Sequence, residues 1–344
     1  MRTALFINHA MGKNCGIYQQ GLCIFSILSK SKRVNYFYRE IGSLSDYYSN
    51  IDIIKPNHVI FNYYETVMPW LPHNLELKDP AEHLFILHDV PIRKSYDKYI
   101  LIGEGGYLRG RVDDNNILDP SKCVTVPRPL YQYTNTYPKN DIPNIGSFGL
   151  MSSWHKGFDE IVKRVNHEFD RAVINLHITW SPICDPKRVM VQQAVDRCKS
   201  LNTNPRIKLN FSHDMLDNNK MLDYLARNDI NVLYYKQVPQ TGLSSAVDYM
   251  LSVNRPIAIN NSPPFRHLYT DAVDMDKHTI KEILESGTRP LEKYYSEWSI
   301  DNFRNSMDSL FTDNILALKI DKFDESAVNK MPLNAKTDLR VGRS

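Results

Sequence analysis

The chain has 344 residues, of which 42 % are apolar and 24 % charged, with a formal net charge of +3. That length suits two domains of ordinary size, and the composition is that of a globular protein rather than a disordered or fibrous one. The small charge gives no case for a nucleic-acid binder, and the apolar runs fall far short of the roughly 20 residues that span a bilayer.

Only Arg2 precedes the short apolar stretch 4–7, and His9 follows almost at once, so no signal peptide is expected and the expected location is cytoplasmic. The five cysteines, Cys15, Cys23, Cys123, Cys184 and Cys198, are irregularly spaced, contain no C-x-x-C pair and read as reduced thiols. The histidines, including His155, His177 and His213, show no metal-ligand spacing, so neither a metal nor another cofactor is expected. No G-x-x-x-x-G-K-[ST] loop occurs.

In chain order, residues 3–8 read as a strand, 9–16 as a glycine-containing loop and 17–28 as a helix. Further strands are expected at 34–38, 59–62, 83–87, 99–102 and 123–126, alternating with polar or helical segments. Such alternation implies a parallel sheet covered on both faces. Residues 131–144 turn to Tyr, Thr, Asn and Pro without apolar periodicity and read as a linker. A second series follows, with strands at 145–149, 172–178, 206–211, 230–234 and 256–259 and helices at 157–169, 186–201, 219–227 and 244–251. A helix is expected at 299–311 and a loosely ordered tail at 331–344. The fold class is therefore α/β, with two doubly wound, Rossmann-like domains across a cleft. The divisions are 1–140, 141–298 and a segment 299–330 that crosses back to the first domain. In such sheets ligands bind beyond the carboxyl ends of the strands, so the loops there carry the functional reading.

Three stretches stand at such loops: Gly12 to Gly16, IGSFGLMSSWHKG at 145–157, and QTGLSSAVDYMLSVNRPIAINNSPP at 240–264. Together they resemble the GT-B fold glycosyltransferases, and within them the retaining, glycogen-synthase-like group (family 4, or glycosyl transferases group 1). The resemblance extends over nearly the whole chain. It implies transfer of a hexosyl or pentosyl group from a nucleotide-diphosphate sugar to an acceptor hydroxyl, without a metal. A glycan is the expected acceptor, with a modified DNA base less favoured. A sugar-nucleotide 2-epimerase of the same fold, or a nucleotide-sugar-binding protein without turnover, are the alternatives.

The resemblance also implies roles. Lys156 matches a lysine that neutralises the donor diphosphate as the sugar bond breaks, and a point cation placed there beforehand lowers the barrier. Where the group has an arginine five residues earlier, this chain has Met151; Arg128 and Arg266 are candidate substitutes by location alone. Gly242 permits a tight turn, after which Leu243, Ser244 and Ser245 present N–H groups at a helix start where a diphosphate docks. The group's two acidic positions fall on Gln240 and Asp248; Asp248 can still accept from the ribose hydroxyls, whereas Gln240 keeps reach toward the sugar but loses charge. In the first domain, His88 and Asp89 end a strand at the cleft, where His88 can donate to or accept from a sugar hydroxyl in either neutral tautomer. Gly12 and Gly16 allow close backbone approach to the phosphate, with His9 and Asn14 as contacts. Tyr63, Tyr64 and Trp70 read either as core or as an acceptor platform.

Overall fold

A computed structural model describes residues 1–12, 15–88, 98–103, 120–151, 155–180, 185–236 and 243–312. Two wholly parallel sheets organise the chain. The first has six strands in the order β2-β1-β3-β4-β5-β6, and the second five in the order β11-β10-β7-β8-β9.

The first sheet comprises β1 (Arg2–His9), β2 (Val34–Ile41), β3 (His58–Tyr63), β4 (Glu82–Leu87), β5 (Lys98–Ile102) and β6 (Cys123–Val126). Along β1 the side chains alternate between faces, as the strand period requires. Ala4 and Phe6 pack with helix α1 (Gly16–Leu28), while Leu5 and Ile7 pack on the opposite face with Tyr47 and Ile51 of α2 (Leu44–Ile54). The sequence left α2 unresolved among polar segments, yet its start is well specified. Ser43 is extended and its hydroxyl accepts from the Asp46 amide at 3.1 Å, satisfying a donor that the first turn leaves unpaired. Tyr63 is buried in the core with Trp70 packed at its edge, which places both in the packing reading.

The second sheet comprises β7 (Asn144–Met151), β8 (Ala172–Trp180), β9 (Ile207–Ser212), β10 (Ile230–Leu233) and β11 (Ile257–Ile259). One face carries α3 (Phe158–Glu168), α4 (Val189–Leu201) and α7 (Ile280–Ser286). The other carries α5 (Asn218–Ala226), α6 (Ala246–Ser252) and α8 (Glu292–Glu297). All four sheet faces are covered, which is why the strands read as near-continuous apolar runs.

Between the sheets, the chain runs extended over the second domain's apolar face. Tyr131 stacks on Tyr249 with centroids 4.2 Å apart, its amide donates to Ser252 at 2.8 Å, and Tyr133 donates to Asp223 at 2.7 Å. Helix α9 (Ile300–Thr312) follows α8 but packs on the first sheet, burying Phe303, Met307 and Phe311 beside Ile60 and Val124. Tyr36 and Ser31 both donate to Asp308 of that helix, at 3.0 and 2.7 Å.

Among the described residues, no helix is long and apolar enough to cross a membrane, and no group of three metal-ligating side chains gathers. Cys15, Cys23, Cys123 and Cys198 are free thiols; Cys184 lies outside the described residues.

Candidate functional site

Each sheet reverses its strand order at one place. In the first sheet this lies between β1 and β3, and in the second between β7 and β10. Crevices at such reversals accept ligands because the flanking loops diverge to opposite faces. Of the predicted residues that are described, Gly12 and Gly16 follow β1, Lys156 follows β7, and His88 lies just past β4.

A pocket between the domains is lined by Gln20, Leu87, His88, Leu101, Ile102 and Arg128 from the first domain and by Leu243 from the second. Leu243 also packs against the first domain's core. His88, just past β4, meets the Asn62 side-chain oxygen Oδ1 with its Nε2 at 2.5 Å. Burial above all, then the nearby Arg128 guanidinium and last the His9 ring, pushes the His88 imidazole down to about 3. It is therefore neutral at ordinary pH.

On the second domain, Lys156 sits in the loop after β7. Its segment is pinned to the residues following β10: the Gly157 amide donates to Tyr234 O at 2.8 Å, and the Lys236 amide to His155 O at 2.7 Å. This short antiparallel bridge brings the Lys156 ammonium onto the Tyr235 hydroxyl. That hydroxyl in turn lies 3.2 Å from the Ser244 hydroxyl. Lys156 and Ser244, 88 positions apart in sequence, thus meet through Tyr235, and Ser244 adjoins the pocket residue Leu243.

Two glycines make this possible. A Cβ on Gly149 would sit 3.2 Å from the Lys156 stem, and one on Gly157 only 2.5 Å from the Tyr234 ring. Gly157→Ala is accordingly expected to cost about 1–3 kcal/mol by overpacking and to shift Lys156, lowering melting temperature and activity together. Thermal denaturation beside a transfer assay checks it, and an unchanged melting temperature would refute the packing argument.

The turn before α6 differs in detail from its sequence reading. The helix begins at Ala246 rather than 244, and the Ser244 amide donates to Pro264 O at 2.9 Å. Ser244 therefore offers its hydroxyl rather than its amide. Ser245 occupies the cap position without a side-chain capping bond.

Asp248 has a partner that the sequence did not reveal. Arg128 grips it with a two-pronged fork, Nε to Oδ1 and Nη2 to Oδ2, both at 2.6 Å, while Nη1 donates to Ile102 O at 3.3 Å. The two side chains are 3 % and 2 % exposed, so both carboxylate oxygens are engaged within the protein. Burial pushes the Asp248 carboxyl up and the guanidinium opposes it. Gly103 makes room for the arginine: its φ of +101° favours glycine, and a Cβ there would meet the Arg128 stem at 2.8 Å.

Of the other candidates, Gly12 takes a φ of +139° that side chains rarely adopt, and Gly16 opens α1; each has open space where a Cβ would stand. His9 ends β1 with both ring nitrogens buried and unpartnered. Asn14, Asp89, Gln240 and Gly242 lie outside the described residues. Met151 is fully buried in the second domain's core, and Arg266 turns back onto Pro263 O at 2.9 Å.

No known family profile matches the chain, and no curated protein sequence does. Solved structures do match in fold. HepE from Anabaena, in complex with UDP and glucose, aligns with a TM-score of 0.60 at 8 % identity, over 91 % of this chain and 100 % of its own. AviGT4, a glycosyltransferase involved in avilamycin A biosynthesis, aligns at 0.58 with 12 % identity, over 92 % and 98 %. A glycosyltransferase from Rickettsia africae aligns at 0.55 with 10 % identity, over 92 % and 97 %. The chain therefore has the two-domain GT-B fold.

Proposed function

We propose that this chain is a glycosyltransferase that moves a hexosyl or pentosyl group from a nucleotide-diphosphate sugar to an acceptor hydroxyl, with retention at the anomeric carbon. The observation that carries the reading is the Lys156–Tyr235–Ser244 chain, one residue from a pocket whose other wall holds His88. Folds of this kind have been solved with UDP and glucose and with UDP-glucose, which supports a nucleotide-sugar donor here.

The chemistry follows from where charge develops. As the bond from the anomeric carbon to the diphosphate oxygen breaks, the leaving group gains negative charge, which Lys156 and the hydroxyls beside it stabilise. The acceptor oxygen bonds to the same face of that carbon, and its proton passes to the departing diphosphate. No carboxylate base is required. Gly12, Gly16, Leu243 and Ser245 flank the donor, and Gln240, His88 and Asp89 serve the sugar and acceptor side. Asp248 reaches a ribose only if the Arg128 fork yields one of its oxygens. A glycan acceptor is favoured over a modified DNA base, since a charge of +3 supplies little of the counterion release that drives DNA binding.

A thermal-shift panel of nucleotide sugars tests this. A donor at a hundred times its Kd adds about 2.7 kcal/mol to the folded state, a readily measured rise in melting temperature. Stabilisation by none of the panel would sink the proposal. With a donor identified, an isomer of equal mass formed without acceptor would instead mark an epimerase, and binding without any product a protein that only holds its ligand.

A further inference from the structure

The His88 ring has two neutral tautomers, and they do opposite things to a hydroxyl group. Which one is present depends on what the Asn62 amide shows it. An asparagine's oxygen and nitrogen are told apart by their partners, and here the chain of partners ends on backbone groups whose roles are fixed.

Asn8 comes first. Its Nδ2 lies 3.0 Å from the Tyr18 carbonyl oxygen, which only accepts, and its Oδ1 lies 3.1 Å from the His9 amide, which only donates. Its orientation is thereby set. Asn62 Nδ2 then donates both to Asn8 Oδ1 at 3.0 Å and to the Ile17 carbonyl at 2.7 Å. With both amide hydrogens so directed, Asn62 Oδ1 is the atom that faces His88 Nε2 at 2.5 Å. An acceptor at that distance requires a hydrogen on Nε2. Both asparagines are fully buried, so water offers no alternative arrangement. The helix above them is shaped for the pair: a Cβ on Gly21 would lie 2.5 Å from Asn62 Nδ2 and 2.6 Å from Asn8 Nδ2.

We infer that Asn62 is a positioning residue, held by Asn8, that fixes His88 as the Nε2-protonated tautomer, so that His88 presents Nδ1 as a hydrogen-bond acceptor. Any hydroxyl that meets Nδ1 must then donate to the ring rather than accept from it. The pair stands at the carboxyl ends of β1 and β3, where the sheet reverses its order. Among the described residues, the charged or titratable groups acting on the ring are His9 from β1 and Arg128 beyond β6, the latter paired with Asp248 of α6. Burial first, and then the Arg128 charge, keep the ring from taking a second proton, and burial lowers the His9 imidazole as well. The role for a substrate hydroxyl rests on the proposed function, whereas the tautomer itself does not.

Nitrogen-15 NMR of histidine-labelled protein tests it, since protonated and unprotonated ring nitrogens resonate far apart. His88→Gln identifies the His88 signals among the 11 histidines. In the wild type, His88 is expected to show a protonated Nε2 and a bare Nδ1, by at least about tenfold over the other tautomer, unchanged between about pH 5 and pH 8. In Asn62→Leu the preference should fall toward parity while the remaining histidine signals stay in place. A protonated Nδ1 in the wild type overturns the inference, as does Asn62→Leu with the tautomer unmoved. If that variant does not fold, the wild-type spectrum decides by itself. Failure of every nucleotide sugar to bind, with the tautomer as stated, would remove the glycosyl-transfer reading and leave the Asn62 assignment standing.

Discussion

Lys156→Ala is expected to lower turnover by about 100- to 1,000-fold, the usual loss when one preorganised donor to a developing negative charge is removed. The ammonium is held before reaction by the bridge between its own segment and the residues after β10, and it contacts Tyr235, which contacts Ser244. Such a group stabilises the departing diphosphate more than the intact donor, so the loss should fall mainly on kcat and only modestly on KM. Lys156→Arg should recover part of the rate, because it restores the charge but not the compact shape. Crowding of the lysine stem against Gly149 limits how well the larger fork fits. Steady-state kinetics with the best donor, beside melting temperatures for both variants, provide the check. Wild-type turnover in Lys156→Ala would remove the lysine from the chemistry. A fall in melting temperature without a fall in kcat would make it a packing residue.

Arg128→Met is expected to destabilise the protein by about 3–5 kcal/mol, because it strands a buried carboxylate. Asp248 is 2 % exposed and receives both prongs of the guanidinium at 2.6 Å. Water cannot replace what the arginine supplies. The pair also links the domains: Arg128 follows β6 and donates to Ile102 O, while Asp248 belongs to α6. Replacing both partners, as Arg128→Met with Asp248→Leu, should recover most of the loss, since a buried ion pair is often matched by apolar groups of similar volume. Urea denaturation of the two single variants and the double variant measures the coupling. A cost below about 1 kcal/mol for the single change would place the pair among the weak surface bridges. If the double variant is stable but binds donor poorly, the pair matters for the domain arrangement and not only for the fold.

The parallel architecture was legible because apolar strand runs and helical periodicity are local signals. Strands expected at 3–8, 34–38, 83–87 and 145–149 appear as Arg2–His9, Val34–Ile41, Glu82–Leu87 and Asn144–Met151. Helix α2 was not picked out, since only Tyr47 and Ile51 of its residues are buried and its apolar stripe is narrow. The start of α6 was placed two residues early, because the Ser244 amide prefers a carbonyl from the distant Pro264.

The site was legible in part for the same reason. Lys156, Ser244, Leu243 and His88 were singled out by the resemblance, at loop positions after strands that the strand pattern marks. Their connector Tyr235 was missed, being one tyrosine among 20 with nothing local to distinguish it. The Arg128–Asp248 pair spans 120 positions, and no spacing rule couples residues so far apart. Asn8 and Asn62 looked like ordinary strand ends.

The sequence by itself determined what depends on neighbouring residues: two series of buried parallel strands, the break between them, and the loops at their carboxyl ends. Burial periodicity and turn chemistry are written in consecutive side chains, so they need no knowledge of the rest of the chain. Only the tertiary structure decided which polar groups complete one another, giving Asp248 its arginine, Lys156 its tyrosine and His88 its asparagine. A buried hydrogen-bonding group must find a partner wherever packing happens to bring one, and the strand order that brings these together is a property of the folded sheet.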